Sequence, residues 1–330
     1  MTIPRRSLLV LPALAALPRP ARAQAYPSRF ITLVTGYAPG GGTDVAARVL
    51  ADAMPRHLAA GARIVVENRP GGAGAVASEW LTRQLPDGHT LMLTETGAAL
   101  AAPVVVVGGT RYDPIEDFTH LGFISRPPAV LVVTPSIAAA TPRETIARLR
   151  AARSGTMSYA SSGFGGMIHL WGEMVARHLG NQAVHVPYRS GGQMVQSIMT
   201  GETQFGVSSM ASAVPLIRES RVKPVALIGD TRFPPMPELP TLGELGIEGF
   251  ETGSLFMVVG PPRMPEALAT TINSVLMRTL AEPAVGERLL TAGLPVPAAA
   301  QSPIEARGEM ERHLARMRAI VEQTGIQAQP

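Results

Sequence analysis

The 330-residue chain contains no cysteine. That absence removes disulfides, thiolate metal sites and thiol nucleophiles, and it excludes a lipid-anchored lipoprotein. Lysine is almost missing as well: Lys223 stands alone among 29 basic residues. A phosphate loop ending in Gly-Lys-Ser/Thr is therefore excluded. Aromatic residues make up only 5% of the chain and are not interleaved with arginine runs, so nucleic acid is not expected as a partner. The seven histidines (57, 89, 120, 169, 178, 185, 313) are scattered without metal-ligand spacing, and no His-Glu-x-x-His pattern occurs. A Gly-x-Ser-x-Gly elbow is missing too: Ser162 follows Ala160-Ser161, Ser190 follows Tyr188-Arg189, and Ser209 precedes Met210-Ala211. The expectation is a non-enzyme with no catalytic residue, metal ligand or cofactor.

Long apolar runs are also lacking; Leu8–Leu17 is too short to span a bilayer comfortably. It lies inside Met1–Ala23, which has the parts of an export signal. Arg5 and Arg6 form a charged start, and Ala21-Arg22-Ala23 is a small-x-small site. Cleavage is expected after Ala23, placing the protein in the periplasm. Paired arginines before Ser-Leu-Leu fit the twin-arginine route, and an ordinary secretory route fits too. The segment holds four arginines and no acid, so its loss brings the net charge of +4 to neutrality. The basic balance therefore does not describe the remaining surface.

What is present begins with a glycine elbow. Phe30–Gly36 is a β-branched run, Tyr37–Asp44 reads YAPGGGTD, and a helical pattern follows from Val45. Three glycines allow a sharp turn and close approach to a ligand. A helix N-terminus offers unpaired amides and partial positive charge, which suits a carboxylate or phosphate. A plain tight turn before a helix is the alternative. The dinucleotide fingerprint fails, because Val45 stands where its last glycine belongs.

Strands and helices alternate beyond this point. Strands are predicted at 30–36, 63–67, 90–94, 121–125, 130–134, 157–160, 183–186, 203–207, 222–228 and 254–259. Helices are predicted at 43–54, 71–85, 141–155, 167–179 and 192–200, from Pro265, from Pro283, and from Ser302 to about Thr324. Thr141-Pro142-Arg143-Glu144 and Ser302-Pro303-Ile304-Glu305 are capping boxes with proline at the first helical position. The β-α-β order implies α/β architecture with mainly parallel sheets. The length and the proline-marked breaks imply two lobes, 24–125 plus 248–330 and 126–247.

The strand-to-helix loops should meet at one cleft. Besides Tyr37, Ala38, Gly40, Gly41, Gly42, Thr43 and Asp44 they supply Thr94, Glu95 and Thr96, then Ser161, Ser162, Gly163 and His169, then Arg189 and Gly191. Converging helix N-termini can hold an anion without a formal cation. His169 reads as a ligand contact or as a core or capping histidine, Arg189 as a cleft cation or a surface residue, and Tyr37 as a packed wall. Glu95 is expected to face solvent, the alternative being recognition of a cationic group on the ligand.

An ordered series of segments resembles the solute receptors of tripartite tricarboxylate transporters, the Bug family. They are YPSRFITLVTGYAPGGGTD (26–44), VVENRPGGAG (65–74), DGHTLMLT (87–94), YDPIEDF (112–118), SYASSGFGGMIHL (158–170), VPYRSGGQMVQSIMTGE (186–202), PTLGELGIEGFE (240–251) and VVGPPRMP (258–265). The resemblance implies a monomeric, two-lobed, type II-like Venus flytrap. Such a receptor captures a small carboxylate and delivers it to membrane permease subunits. By position it assigns ligand contacts to Ala38, Gly41, Thr43, Asp44, Ser162 and His169, with Thr96 and 189–191 at the distal end. Asp44 would cap its helix or organise water. Glu95, Gly166 and Gln204 depart from the residues usual there, so the ligand class does not transfer. An orphan receptor signalling to a sensor partner, and an α/β hydrolase using the same cleft, are the alternative readings.

Overall fold

The computed structural model describes residues 26–97, 102–105, 108–180, 182–229, 231–250 and 254–325. The expected export signal, 1–23, lies outside them.

Two five-stranded sheets form two lobes. The first contains β1 (Ile31–Thr35), β2 (Ile64–Asn68), β3 (Thr90–Glu95), β4 (Thr119–Ser125) and β10 (Phe256–Gly260), in the order β2-β1-β3-β10-β4. The second contains β5 (Ala129–Val133), β6 (Ser158–Ser161), β7 (Val184–Pro187), β8 (Phe205–Ser209) and β9 (Lys223–Ile228), in the order β7-β6-β8-β5-β9. The expected parallel pairing holds for β1 with β2 and β3, and for β6 with β7 and β8. It fails for β10 and β5, which run antiparallel to both neighbours. The reason is the crossovers. Strands β4 and β9 end at the cleft, so the next strand enters the opposite sheet from its cleft side and must run away from it.

The helices are α1 (Gly42–Ala53), α2 (Ala75–Leu81), α3 (Ala102–Val105), α4 (Pro142–Ala151), α5 (Met167–Leu179), α6 (Gly191–Thr200), α7 (Met210–Arg218), α8 (Glu266–Leu280), α9 (Pro283–Thr291) and α10 (Pro303–Thr324). Both capping boxes form: Thr141 and Ser302 accept from the amides of Glu144 and Glu305, whose carboxylates bond back. Gly180 ends α5 in the left-handed conformation, where glycine carries no Cβ penalty. The helix predicted at 71–85 is shorter. Gly71, Gly72 and Gly74 take positive φ and form a tight turn, and α2 starts only at Ala75. Val76, in its first turn, is exposed. Helix α7 has no counterpart among the expected elements, because Pro215 within it reads as a breaker.

Each lobe has its own apolar core, built on α1, α8 and α9 in the first and on α4 to α7 in the second. Helix α10 connects them: Met310 and Leu314 pack with Val34, Met92 and Met257, while Met317 joins the second lobe's core. It also holds a crossover, since Glu309 pairs at 2.8 Å with Arg126 in the link from β4 to β5.

Candidate functional site

The strand ends bring a small, partly open cavity between the lobes. Tyr37, Gly41, Gly42, Thr43, Glu95 and Phe256 line it from the first lobe. Ser162, Ile168, Gly191, Met194, Ser208, Ser209 and Ser212 line it from the second. Its free interior is about 20 Å³, because the lobes are drawn together. The Ala38 amide donates to the Arg189 carbonyl at 3.1 Å, and the Gly42 amide to Ser212 Oγ at 3.1 Å. Ala211 of α7 is buried in the first lobe's core. Glycines permit this approach: a Cβ on Gly192 would stand 2.8 Å from the Gly40 carbonyl oxygen, and one on Gly163 3.1 Å from the Ala73 backbone.

Four helices begin at the cavity wall: α1, α5, α6 and α7. Only α6 has a side-chain cap, from Ser190 to the Gln193 amide. Helices α1, α5 and α7 start at Gly41, Gly166 and Ser209 with no side-chain cap bond. Such N-termini carry partial positive charge and leave amides for an external acceptor, apart from the Gly42 amide of α1, which Ser212 Oγ already takes. The Thr43 and Ser209 hydroxyls are buried without a hydrogen-bond partner. Among the described residues no arginine or lysine is in the lining. The wall is a set of donors suited to an anion, with Ile168, Met194 and Phe256 as its apolar part.

The expected site residues divide into two groups. Tyr37, Gly41, Gly42, Thr43, Glu95, Ser162 and Gly191 line the cavity. The others surround it. Gly40 turns at φ +87° and donates to Asp44 Oδ2 at 3.0 Å. Asp44 also takes two bonds from Arg48 and one from Asn68. Burial works against its charge, but these bonds hold the carboxyl below the usual range. It thus pins the glycine turn instead of capping the helix, and its charge is matched by Arg48. Thr96 exchanges bonds with Leu255, and Thr94 is buried beneath β3's end. Ser161 bonds Gly163 and His185. His169 takes the Gly165 amide at 3.3 Å and stacks on His185 at 4.1 Å, as a loop-holding histidine does. Arg189 is exposed and contributes its carbonyl. Gln204 clasps Ser158 and Gly201, away from the cavity.

Glu95 overturns its expectation. It is 5% exposed, in the cavity wall, with Oε1 accepting from the Tyr37 hydroxyl at 2.6 Å. Tyr37 is correspondingly more than packing, since its hydroxyl joins Glu95 and the Ala73 carbonyl. Sequence reasoning missed Ile168, Met194, Ser208, Ser209, Ser212 and Phe256. Ser208 and Ser209 end β8 and Ser212 lies in the first turn of α7, a strand-to-helix junction without glycine to mark the turn.

A model for the "tripartite tricarboxylate transporter family receptor" matches residues 46–326. The chain belongs to this receptor family. It is 29% identical over 314 residues to protein BugT of Bordetella pertussis, covering 95% of this chain and 94% of that one. Among solved structures, R. palustris Rpa4515 with adipate matches with a TM-score of 0.85 at 28% identity, over 92% of this chain and 100% of that one. MatC from Rhodopseudomonas palustris with bound malate matches with a TM-score of 0.83 at 27% identity, over 90% and 100%. The receptor is thus a Bug-type, two-lobed α/β solute-binding protein, in a family of periplasmic binding proteins.

One pairing in this receptor looks like enzyme chemistry. Ser161 Oγ lies 2.6 Å from His185 Nε2. Ser161 is fully buried and outside the cavity lining, and His185 Nδ1 has no partner to orient it. Burial, with His169 beside it, pushes the His185 imidazole down to about 3. It is a poor base next to an inaccessible hydroxyl, which is the opposite of a nucleophile site.

Proposed function

We propose that the receptor is exported with loss of residues 1–23, captures a small carboxylate between its lobes, and delivers it to tripartite transporter permease subunits. The observation that carries this reading is the meeting of the N-termini of α1, α5 and α7, none with a side-chain cap, on one cavity between the lobes with no arginine or lysine among its described lining residues. A desolvated carboxylate there exchanges water for fixed amides and for the free hydroxyls of Thr43 and Ser209. Ligand contacts with both lobes favour the closed form over an open one, the lobes moving about the two crossovers. The adipate- and malate-bound relatives support the same ligand chemistry. The protein acts as a monomer, without catalysis or cofactor.

The test is a thermal-shift panel of dicarboxylates, citrate-like acids, aromatic acids, amino acids and phosphorylated compounds. A ligand at a hundred times its dissociation constant adds about 2.7 kcal/mol of stability. A shift with a carboxylate class supports the reading. A flat panel, with native mass spectrometry showing no co-purified ligand, overturns it.

A further inference from the structure

The helix N-termini and hydroxyls account for one end of a ligand and leave a buried carboxyl unexplained. Glu95 lines an anion-seeking cavity, where an added negative charge opposes a second ligand carboxylate. A Cβ added to Gly97 would stand 2.8 Å from Glu95 Oε1 and 3.0 Å from the Met167 amide nitrogen, so the carboxyl lies near the start of α5. The 2.6 Å bond from Tyr37 falls in the range of a hydroxyl donating to an ionised carboxylate. Without a ligand, burial holds the carboxyl above its usual range, and the bonds from Tyr37 and Ser254 lower it only in part. No cation from the described residues pairs with it: burial, Tyr37 and Ser254 are what act on its charge. Such a charge is costly to keep buried without a partner. The Tyr37 hydroxyl has a single proton, so donating it to Glu95 leaves the Ala73 carbonyl, 2.9 Å from that oxygen, as a second acceptor beside the carboxylate.

We propose that Glu95 makes this receptor selective for short amino carboxylates, holding the ligand's ammonium while Thr43, the serines and the helix N-termini hold its carboxylate. The proposal rests on the carboxylate-receptor reading and names the ligand class for that cavity. The zwitterion then supplies both charges that the cavity is built to meet. A dicarboxylate of similar length supplies the wrong sign at one end. Glu95 is the specificity-determining residue, and Phe256, Ile168 and Met194 limit the length between the two groups.

The test is calorimetry on purified protein, freed of co-purified ligand by unfolding and refolding. Glycine, L-alanine, β-alanine and 4-aminobutyrate are titrated beside malonate, succinate and glutarate, into wild type and Glu95→Gln. The expected result is binding of an amino carboxylate by wild type and a loss of at least about thirty-fold in Glu95→Gln, as for a desolvated charge pair that loses one partner. Glu95→Gln is expected to gain affinity for a dicarboxylate, a change that a merely structural role would not produce. A wild type that binds a dicarboxylate and no amino carboxylate overturns this proposal and leaves the receptor reading standing. So does a variant that binds the amino carboxylate as tightly as wild type. Binding of neither class by wild type, together with a flat wider panel, overturns both. The wild-type preference decides the matter even if Glu95→Gln does not fold.

Discussion

Gly192→Ala separates closure from folding. Gly192 lies in the first turn of α6, in the second lobe, with a φ that any residue adopts. Within its own lobe, alanine there is harmless and adds up to about 1 kcal/mol of helix propensity. Across the cleft, its Cβ would stand 2.8 Å from the Gly40 carbonyl oxygen and 3.1 Å from the carbonyl carbon. An ordinary carbon–oxygen contact is about 3.3–3.6 Å, so the lobes must part by about half an ångström or more. Both obstructing atoms are backbone, and Gly40 is tied to Asp44, so the turn cannot yield cheaply. Overpacking of this kind costs about 1–3 kcal/mol. Because the cost falls on the closed form alone, ligand affinity should drop by about 5- to 150-fold. Calorimetry with the ligand found in the panel reads the affinity, and small-angle scattering with saturating ligand reads the closure. Unfolding of the ligand-free variant should be unchanged or slightly later. Unchanged affinity refutes the argument, and so does a ligand-free variant destabilised by more than about 1 kcal/mol, which would place the overlap inside one lobe.

Thr43→Val removes a buried, unpartnered hydroxyl at nearly constant volume. The ligand-free protein should become slightly more stable, while affinity falls by about 1–3 kcal/mol, because the anion loses a donor in a dry site; equal affinity by calorimetry counts against Thr43 as a contact. Stability should also fall on acidification. Burial lowers the imidazoles of His120 and His313 to about 4, and that of His185 to about 3, against about 6.5 in the unfolded chain. The unfolded chain therefore binds more protons between those values, so this stability is complete above about pH 6.5 and is lost as pH falls toward 4 and below. Urea midpoints at pH 5 and 7.5 check the sign, and a higher midpoint at pH 5 contradicts it.

Legibility in the sequence followed how local each determinant is. Both capping boxes, the proline starts of α4, α9 and α10 and the Gly180 stop were readable because each acts within one turn. Glycines just before or at the first helical residues (40–42, 163–166, 191–192) marked α1, α5 and α6 for the same reason. The junction of β8 with α7 carries no glycine, so Ser208, Ser209 and Ser212 went unseen although they line the same cavity.

Local patterning therefore determined the alternation of strands and helices, the anion-seeking loops and, through the ordered series of segments, the family. It could not determine strand direction at β5 and β10, which depends on crossing between sheets. Nor could it decide what each charged side chain meets. Asp44 is held by Arg48, Asn68 and the Gly40 amide, Arg189 stays exposed, and Glu95 is buried against Tyr37. Chain neighbours 58 positions apart in sequence settle that last environment. Burial and partner, which decide the charge state of a carboxyl, exist only once the chain has folded around it.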